Sequence, residues 1–455
     1  MKRIIILAMA FVVFEAAGQT SLSLQECRQM ALQNDIRVKN ARLDILAASV
    51  QKQEALTEYF PKVSLNSFGF MALDPLLEVS VKDILGESGF SAQVQQAVDY
   101  LGEQFGFPSV YTALRSGFSA SVSALQPIYT GGRIINGNRL AELGRRASLL
   151  QDDMTERDVL ENTDRDYWKI VFLESKIATL DASETFLNNL YEDLAAAVDA
   201  GLALDTDLMQ VELKLNELKK MRLSLTGGIR LAKMSLFNTI GQPYSLISTL
   251  SDNLKPYIDN LILSDGMDNL DPPSAYYKPA EEIVAGLSET GLLDMAVEEK
   301  RLERKMALGE ALPQVGIGAS YGYTHALNSR FNGLVFAMVK IPISDWGKIS
   351  RKMKRIDYDM QKAQNNREYL SSQLLLRVHK LWLDLTVAWE EVALAREDVL
   401  LAQKNADRMQ DQYKAGLVTL SDLLQSRMLL RTRTDACIEA QTDYLSALSS
   451  YVLLK

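Results

Sequence analysis

Two stretches of this chain carry nearly the same sequence, DAGLALDTDLMQ at residues 199–210 and KAGLVTLSDLLQ at residues 414–425. Gly416 follows Gly201 by 215 residues (416 minus 201). Each glycine comes where a long helical pattern stops, which is typical of the residue just after a helix C-terminus. We therefore expect a tight turn between two helices in each stretch, and a structural unit that occurs twice.

A helix that starts after each turn needs a capping residue. We expect Asp205 or Thr206 to cap the first and Thr419 or Ser421 to cap the second. A well-formed helical hairpin would by itself explain the glycine and one capping residue. It would not explain why Leu202, Asp207 and Gln210 recur in the second copy as Leu417, Asp422 and Gln425. Duplication alone could preserve these matches.

The repeat extends beyond the turns. QPIYTGGR (126–133) and IPISDWGK (341–348) are also 215 residues apart. FPKVSL (60–65) and LPQVGI (312–317) are 252 residues apart, because Pro313 corresponds to Pro61. The first copy therefore contains 37 additional residues (252 minus 215) before its second strand.

Each copy has the same predicted order: helix, strand, strand, long helix, tip and final helix. The predicted boundaries are a cleaved signal peptide at 1–18, a first repeat at 19–240, an inter-repeat linker or equatorial segment at 241–286 and a second repeat at 287–455. Within the first repeat we expect strands at about 62–71 and 117–127, an extracellular insertion at about 72–115 with helical character, and a helical hairpin at 133–240 with its tip at 200–206. Within the second we expect strands at about 314–324 and 333–342 and a hairpin at 347–455 with its tip at 415–421.

The N-terminus has the pattern of a secretory signal peptide. Lys2 and Arg3 precede an apolar run, Ile4 to Phe14, and small residues follow up to Gly18, where we expect cleavage. No cysteine directly follows that position, so we expect no lipoprotein anchor; Cys27 lies too far along the chain.

The predicted strands alternate in character. In Val315–Thr324 the odd positions are apolar and the even positions are mostly Gly or Ser, and Phe118–Leu125 alternates with serine. Strands of this length with one apolar and one small polar face match the wall of a membrane barrel. A half-buried strand in a soluble sheet alternates in the same way, so this alternative stays open.

The long helices carry a sustained heptad seam with 4-3 spacing, which predicts coiled-coil packing. Its positions in the second copy are Leu381, Leu385, Ala388, Val392, Ala395, Val399, Ala402, Ala406, Met409 and Tyr413. In the first copy they are Ile170, Leu173, Ile177, Leu180, Glu184, Leu187, Tyr191, Leu194 and Val198, with one charged exception.

Composition excludes several functions. The net charge of −9 argues against nucleic acid as a partner. Cys27, Cys437, His325 and His379 are isolated, so we predict no metal site and no cofactor. Because the sequence contains no nucleophile–base motif and no glycine-rich phosphate loop, we also predict that the protein is not an enzyme.

The signal peptide, the tandem order and the Pro-flanked strands together resemble the TolC-like outer-membrane factor family. The motifs that carry the resemblance are Phe60-Pro61, the run Gln126 to Arg133 and the two AGL phrases. The resemblance covers essentially the whole mature chain, and its specificity lies in the order and double occurrence of the motifs.

The family implies a mainly helical fold with a small β part. Three protomers would form a trimeric α-barrel of antiparallel coiled coils, joined to a shared 12-stranded outer-membrane β-barrel with four strands per protomer. The assembly would be a passive exit duct of a tripartite efflux or type I secretion system in a Gram-negative bacterium. Its partners would be a periplasmic adaptor, an inner-membrane pump of unknown class and outer-membrane lipid.

The resemblance also implies site residues. Gly201, Leu202, Thr206, Gly416, Leu417, Thr419 and Ser421 would be adaptor-docking tips. Asp422, Gln425, Asp207 and Gln210 would lie at the pore entrance. Asp422 matches the first of two aspartates that the family's type member carries there, whereas Gln425 stands at the second, so a double acidic ring is in doubt. An ordinary solvated aspartate in the first turn of a helix is the alternative interpretation of Asp422.

Two further alternatives stay open from the sequence. The basic run of Lys348, Arg351, Lys352, Lys354 and Arg355 would suit anionic headgroups or a solvated helix face. The whole chain would also suit a secreted, soluble coiled-coil scaffold or a periplasmic adaptor protein, although an adaptor normally carries one helical hairpin and not two equivalent repeats. The sequence does not identify the transported cargo.

Overall fold

A computed structural model of the protein describes residues 20–73, 77–79, 81–86, 89–105, 111–113, 116–244, 258–264, 267, 270–324 and 330–454. The predicted signal peptide and His325 lie outside these residues. The chain divides into two units. The helical unit comprises Met1–Ala47, Arg146–Met295 and Gln364–Lys455, and the sheet unit comprises Ala48–Arg145 and Ala296–Ala363.

In the described residues, the first copy contains three short strands, four shorter helices and two long helices besides its sheet hairpin. Its elements are β1 (Thr20–Leu22), α1 (Leu24–Asn34), α2 (Ile36–Thr57), β2 (Lys62–Met71), β3 (Leu77–Val79), α3 (Val81–Leu85), α4 (Gly89–Phe105), β4 (Tyr111–Ala113), β5 (Ser116–Thr130), α5 (Arg133–Asp199) and α6 (Asp205–Thr239). Helices α3 and α4 occupy the additional segment, where the sequence predicts helical character; its position outside the cell stays a prediction.

The second copy repeats this order without the additional segment. Its elements, with the linker that precedes it, are β6 (Leu261–Leu263), α7 (Ala280–Gly286), α8 (Ser288–Glu310), β7 (Gln314–Thr324), β8 (Arg330–Lys340), α9 (Lys348–Lys414) and α10 (Leu420–Val452). Two turns of 3₁₀ helix, Ile258–Asn260 and Pro273–Ala275, lie in the linker. Helices α5 and α9 each have 67 residues, or about 100 Å at 1.5 Å per residue.

The heptad seams pack as the sequence predicts. All ten seam positions of α9 are buried or half-buried, and so are the nine of α5. The single charged seam residue, Glu184, accepts hydrogen bonds from Nε and Nη2 of Arg222 on α6 at 3.2 and 2.8 Å. A bidentate arginine satisfies the carboxylate, which explains how a glutamate is tolerated in an otherwise apolar seam.

A separate core in the helical unit joins the N-terminal strand to the linker. β1 pairs in parallel with β6, and Leu22 and Leu261 are buried in the same cluster as Tyr167. Arg28 on α1 donates to both carboxylate oxygens of Asp164 on α5 at 2.6 and 2.7 Å. Because Asp164 is almost fully buried, this bidentate pair holds α1 in a defined place on α5.

The sheet unit contains one antiparallel sheet with the strand order β2-β5-β7-β8. Its two hairpins have the same register: Lys62 pairs with Leu125 in the first copy, and their counterparts Gln314 and Lys340 pair in the second. The sequence offsets of 252 and 215 residues therefore describe a true structural duplication.

Two predicted strands have boundaries that are wrong by two or three residues. β5 continues to Thr130 instead of ending at 127, because its pairing with β7 shifts between Pro127 and Tyr129. A bulge is the place where a strand tolerates a proline, which has no N–H to donate. β8 runs over Arg330–Lys340 and not 333–342, and so ends before Pro342 interrupts the ladder.

Candidate functional site

The two turns between the long helices have the same backbone geometry. We call them tip 1 (residues 199–210) and tip 2 (residues 414–425). Gly201 and Gly416 have φ angles of 73° and 72°. The N–H of Leu202 donates to the carbonyl of Ala197 at 2.7 Å, and Gly201 N–H donates to Val198 at 2.9 Å. Tip 2 repeats both bonds, which together form the Schellman motif that ends a helix.

The glycines are needed for their backbone angle alone. A Cβ added at Gly201 or Gly416 would have no heavy atom within 4 Å among the residues that the structure describes. The left-handed φ costs any other L-residue about 1–2 kcal/mol. The sequence pattern therefore identified both turns correctly, because each turn needs a residue that adopts a left-handed φ angle.

The helices that follow the turns begin differently. In tip 2, Thr419 is the N-cap: its Oγ1 donates to Asp422 Oδ2 at 2.7 Å and accepts from Asp422 N–H at 3.2 Å. Thr419 N–H also donates to Asp422 Oδ2, at 3.0 Å, which completes a capping box. The hydroxyl hydrogen bond, followed by the backbone one, lowers the pKa of the Asp422 carboxyl.

In tip 1 the predicted cap is wrong. The N-cap is Leu204, which has no side-chain capping bond, and not Asp205 or Thr206. Leu204 stands where tip 2 has Thr419, because 419 minus 215 is 204. Both Asp205 and Thr206 already lie in the first turn of α6, as Ser421 lies in the first turn of α10.

Both tips expose apolar side chains. Leu202 is 83% exposed, Leu204 is 67% exposed and Leu417 is 74% exposed. Among the predicted docking residues, Gly201, Thr206, Gly416, Thr419 and Ser421 are also exposed. Leu204 was not predicted, and the signal that could have found it is an apolar residue in the place of a capping threonine.

The two tips lie side by side. Leu420 and Leu423 of tip 2 are buried in a cluster that includes Val211 of α6, with Ala203 of tip 1 packed against it. Burial raises the pKa of the Tyr413 hydroxyl, and the negative charge of Asp207 raises it further. Among the predicted pore-entrance residues, Asp422, Gln425 and Gln210 are exposed and Asp207 is half-buried.

Both faces of the sheet are largely exposed in the single chain, and one of them carries the apolar residues of the central strands β5 and β7. Leu65, Val122 and Tyr321 lie opposite one another on neighbouring strands, and all three are at least half exposed. The adjacent row of Val63, Ala124, Ala319 and Val335 continues this face. A sheet in a water-soluble protein buries such a face, so another apolar medium or surface must cover it.

The opposite face of the sheet is small and polar mainly on the central strands β5 and β7, whereas the outer strands add Phe68 and Leu334 to it. Ser64 and Ser123 share a hydrogen bond of 3.0 Å between their hydroxyl oxygens, and Asn66 Nδ2 donates to Ser123 Oγ at 2.9 Å. Gly318 on this face allows the Phe336 ring to approach, since an added Cβ would lie 2.4 Å from that ring. On the two central strands the two faces therefore differ in polarity.

The basic run on α9 is partly neutralised within the chain. Lys352 pairs with Glu310 at 2.7 Å, and Arg355 pairs with Asp359 at 3.2 Å. These pairs fit a solvated helix face, and contact with lipid headgroups stays a prediction. In the described part of the chain no group of His, Cys, Asp and Glu is arranged to hold a metal ion, and none of the described helices is apolar and long enough for a membrane span.

Other proteins share this fold over nearly the whole chain. A membrane protein from Pseudomonas aeruginosa is 13% identical and matches 95% of this chain and 93% of its own with a TM-score of 0.75. The CmeC outer membrane channel of Campylobacter jejuni is 14% identical and matches 95% and 85%, with a TM-score of 0.72. The outer membrane protein VceC of Vibrio cholerae is 14% identical and matches 95% of both chains, with a TM-score of 0.72.

The fold is therefore that of outer-membrane channels. The family model of the outer membrane efflux protein matches residues 294–450, so the predicted resemblance to the TolC-like outer-membrane factor family is confirmed. The description of that family and the titles of the similar structures name outer-membrane efflux proteins and channels. Comparison with curated protein sequences finds no match.

Proposed function

We propose that three copies of this chain form a passive exit duct through the outer membrane, as part of a tripartite efflux or type I secretion system. The observation that carries the proposal is the sheet, which exposes an apolar face and leaves both edge strands without a partner in the described chain. Outer-membrane lipid is the proposed cover for the apolar face, and further copies of the chain are the proposed partners of the edges.

The duplication supports a specific pairing between copies. Within one chain, the second strand of the first copy, β5, pairs with the first strand of the second copy, β7. By repetition, β8 would pair with β2 of the next chain. Ala124 of β5 pairs with Ala319 of β7. Val339 of β8 corresponds to Ala124 (124 plus 215), and Ser67 of β2 corresponds to Ala319 (319 minus 252), so Val339 should pair with Ser67 of the next chain. Three copies would close twelve strands and leave no edge exposed.

Disulfide trapping tests this register. Val339→Cys with Ser67→Cys, in a Cys437→Ala background, should form an intermolecular disulfide and give a cross-linked trimer on non-reducing gels of outer membranes. Val339→Cys with Phe68→Cys is the matched control, since a shift of one residue turns the second side chain to the other face. Ala124→Cys with Ala319→Cys should bridge within one chain.

The outcome separates the duct from the alternative. A protein that fractionates as a soluble monomer or dimer, without the Val339–Ser67 bridge, would instead be a coiled-coil scaffold or a periplasmic adaptor. Equal cross-linking in the shifted control would show that the edges meet in a different register. The exposed apolar face favours the duct, because a soluble scaffold would have to keep it in water.

The tips are the proposed contact with a periplasmic adaptor, which an inner-membrane pump of unknown class would accompany. Leu202 and Leu417 project from matching turns, and exposed leucines beside a rigid turn suit an apolar groove on a partner. Gly201 and Gly416 would shape the turns, and Thr206, Thr419 and Ser421 would supply polar contacts. Asp207, Gln210, Asp422 and Gln425 would surround the pore entrance, where Asp422 would favour cations.

Photo-crosslinking in living cells tests the docking surface. A photoreactive amino acid at Leu202 or Leu417 should capture a periplasmic protein with its own helical hairpin. Leu223 on α6 is the matched control, because it is 76% exposed but lies beyond tip 1. Capture of the same protein from Leu223 as from the tips would contradict docking at the tips, and so would its absence from both leucines.

A further inference from the structure

A pocket of about 610 Å³ lies between the two helical hairpins, within the helical unit. It is lined by side chains of α5 between Ser175 and Leu187, of α6 between Lys214 and Leu218, and of α10 between Leu424 and Ile438, with Gln403 of α9. Its volume falls in the range of about 300–1,000 Å³ that is typical of small-molecule sites. None of the motifs discussed above accounts for it.

The pocket is positively charged although the protein is acidic. Its lining contains three cationic side chains and one carboxylate. Lys214 pairs with that carboxylate, Glu217, at 2.8 Å. Arg427 and Arg431 therefore supply the net charge of the lining. An anionic ligand would be drawn to this site by charge.

The two arginines are incompletely satisfied. Among the residues that the structure describes, neither the buried Nε of Arg427 nor that of Arg431 has a hydrogen-bond partner. Arg427 stacks over the Phe186 ring at 4.4 Å, contacts the amide oxygen of Gln410 and lies 3.9 Å from Asp407. Arg431 Nη1 contacts the sulfur of Met221 at 3.0 Å. Buried donors of this kind call for an acceptor.

The remaining lining is largely apolar. Leu187, Leu218, Leu424, Met428 and Ile438 contribute to it, and the Phe186 ring forms part of the wall beside Arg427. A small inorganic anion would use the arginines and leave this surface unused. A neutral apolar molecule would leave the arginine donors without acceptors, which is costly in a partly buried site.

We propose that this pocket binds an amphiphile with a single anionic head group, such as a fatty-acid carboxylate, whose head accepts from Arg427 and Arg431 and whose chain lies along the leucines. The second repeat alone supplies both arginines, since their counterparts in the first are Glu212 and Asn216. The ligand therefore has one site per chain. It contacts both hairpins and stabilises their association by mass action.

The test uses the full-length protein in detergent and a dodecanoate that carries a photoreactive diazirine at its chain end. Peptide mass spectrometry should map the label to Ser175–Leu187 of α5 and Leu424–Ile438 of α10. Unlabelled dodecanoate should compete, whereas dodecanol, dodecylammonium and acetate should compete at least tenfold more weakly. These three competitors remove the charge, reverse the charge and remove the chain.

Substitutions assign the head-group site. Arg427→Gln and Arg431→Gln should each weaken competition by dodecanoate about tenfold, the effect of one charge-assisted hydrogen bond. Arg427→Lys keeps the charge and should lose less. Arg433→Gln is the matched control, because this exposed arginine on the same helix pairs with Asp398 outside the pocket.

Three results would overturn the proposal. Equal competition by dodecanol would identify an apolar cavity without an anion site. Competition by acetate alone would identify an anion site without a role for the chain. If both Arg→Gln variants kept their helicity and oligomeric state and were labelled as strongly as the unaltered protein, the arginines would not be part of the binding site.

Discussion

Tip 1 and tip 2 end their first helices with the same Schellman turn but begin their second helices differently. In tip 2, Thr419 and Asp422 form a capping box, and Leu420, which directly follows Thr419, is buried. In tip 1 the corresponding positions are Leu204, which is exposed and makes no side-chain cap, and the exposed Asp205. The polar and apolar roles of two adjacent positions are thus exchanged between the copies.

This exchange shows that the turn itself needs the glycine, whereas the residues that start the next helix can differ between the two copies. A left-handed backbone angle needs glycine wherever the turn occurs, so both copies retain it. The start of the next helix has no such requirement, because water can satisfy its free N–H groups. Tip 2 is therefore anchored by its cap and its buried leucine, whereas tip 1 leaves two leucines exposed. We expect tip 1 to open more readily than tip 2.

The largest expected effect comes from removing the buried anchor of tip 2. Leu420→Ala should destabilise the tip by about 2–5 kcal/mol, as large-to-small changes of a buried leucine do. Hydrogen exchange of the full-length protein should show the loss as faster exchange of the amides that follow Thr419. Asp205→Ala, at the corresponding position of tip 1, should cost less than about 1 kcal/mol. Similar losses in the two variants would contradict the difference in anchoring.

The next effect should be equal in the two tips. Gly201→Ala and Gly416→Ala each place a Cβ on a residue with a left-handed φ, at a cost of about 1–2 kcal/mol. Since neither added Cβ meets another atom within 4 Å among the described residues, steric contact contributes nothing. The two variants should therefore speed exchange in their own tips to a similar extent. A much larger loss at one glycine would mean that its turn is packed in the assembled protein.

Removing the capping threonine from tip 2, or introducing one into tip 1, should have a smaller effect on stability. Thr419→Ala should cost about 1 kcal/mol, because the N-cap hydroxyl is lost. Leu204→Thr should stabilise tip 1, since Asp207 already stands three residues later, where a capping box needs its carboxylate. Hydrogen exchange of the first turn of α6 is the measurement. Leu204→Ala, which removes the leucine without adding a cap, is the control and should give no protection.

The sequence predicts the parts of this protein that depend on local rules. The heptad seams, the glycine turns and the order of the repeat follow from spacing alone, and the register of the two hairpins agrees with the sequence offsets. The cap of tip 1 was not predictable in this way. Asp205 and Thr206 are both good capping residues, but the turn has the same length in both copies and places Leu204, the counterpart of Thr419, at the N-cap.

The pocket between the hairpins was also not predicted from the sequence. Arg427 and Arg431 belong to α10, and only the packing of α5 and α6 against α10 brings them into one pocket with Phe186. Likewise, strand alternation alone left a soluble sheet possible. Leu65, Val122 and Tyr321 are exposed in the single chain, which supports a cover by lipid, and the membrane wall stays a proposal.

The smallest expected effect is a pH dependence that belongs to tip 2. Its capping box lowers the pKa of Asp422 in the folded tip. A carboxyl whose folded pKa lies below its unfolded value, about 3.9, contributes stability above that value and loses it as the pH falls through the folded pKa. Exchange in the first turn of α10, corrected for intrinsic rates, should therefore accelerate below about pH 4. Asp422→Asn cannot titrate and should remove this acceleration, and Thr419→Ala should shift its midpoint upwards by removing the hydroxyl donor. If the acid response persisted unchanged in Asp422→Asn, another carboxyl would be responsible, and the capping box would not be what distinguishes tip 2 from tip 1 in acid.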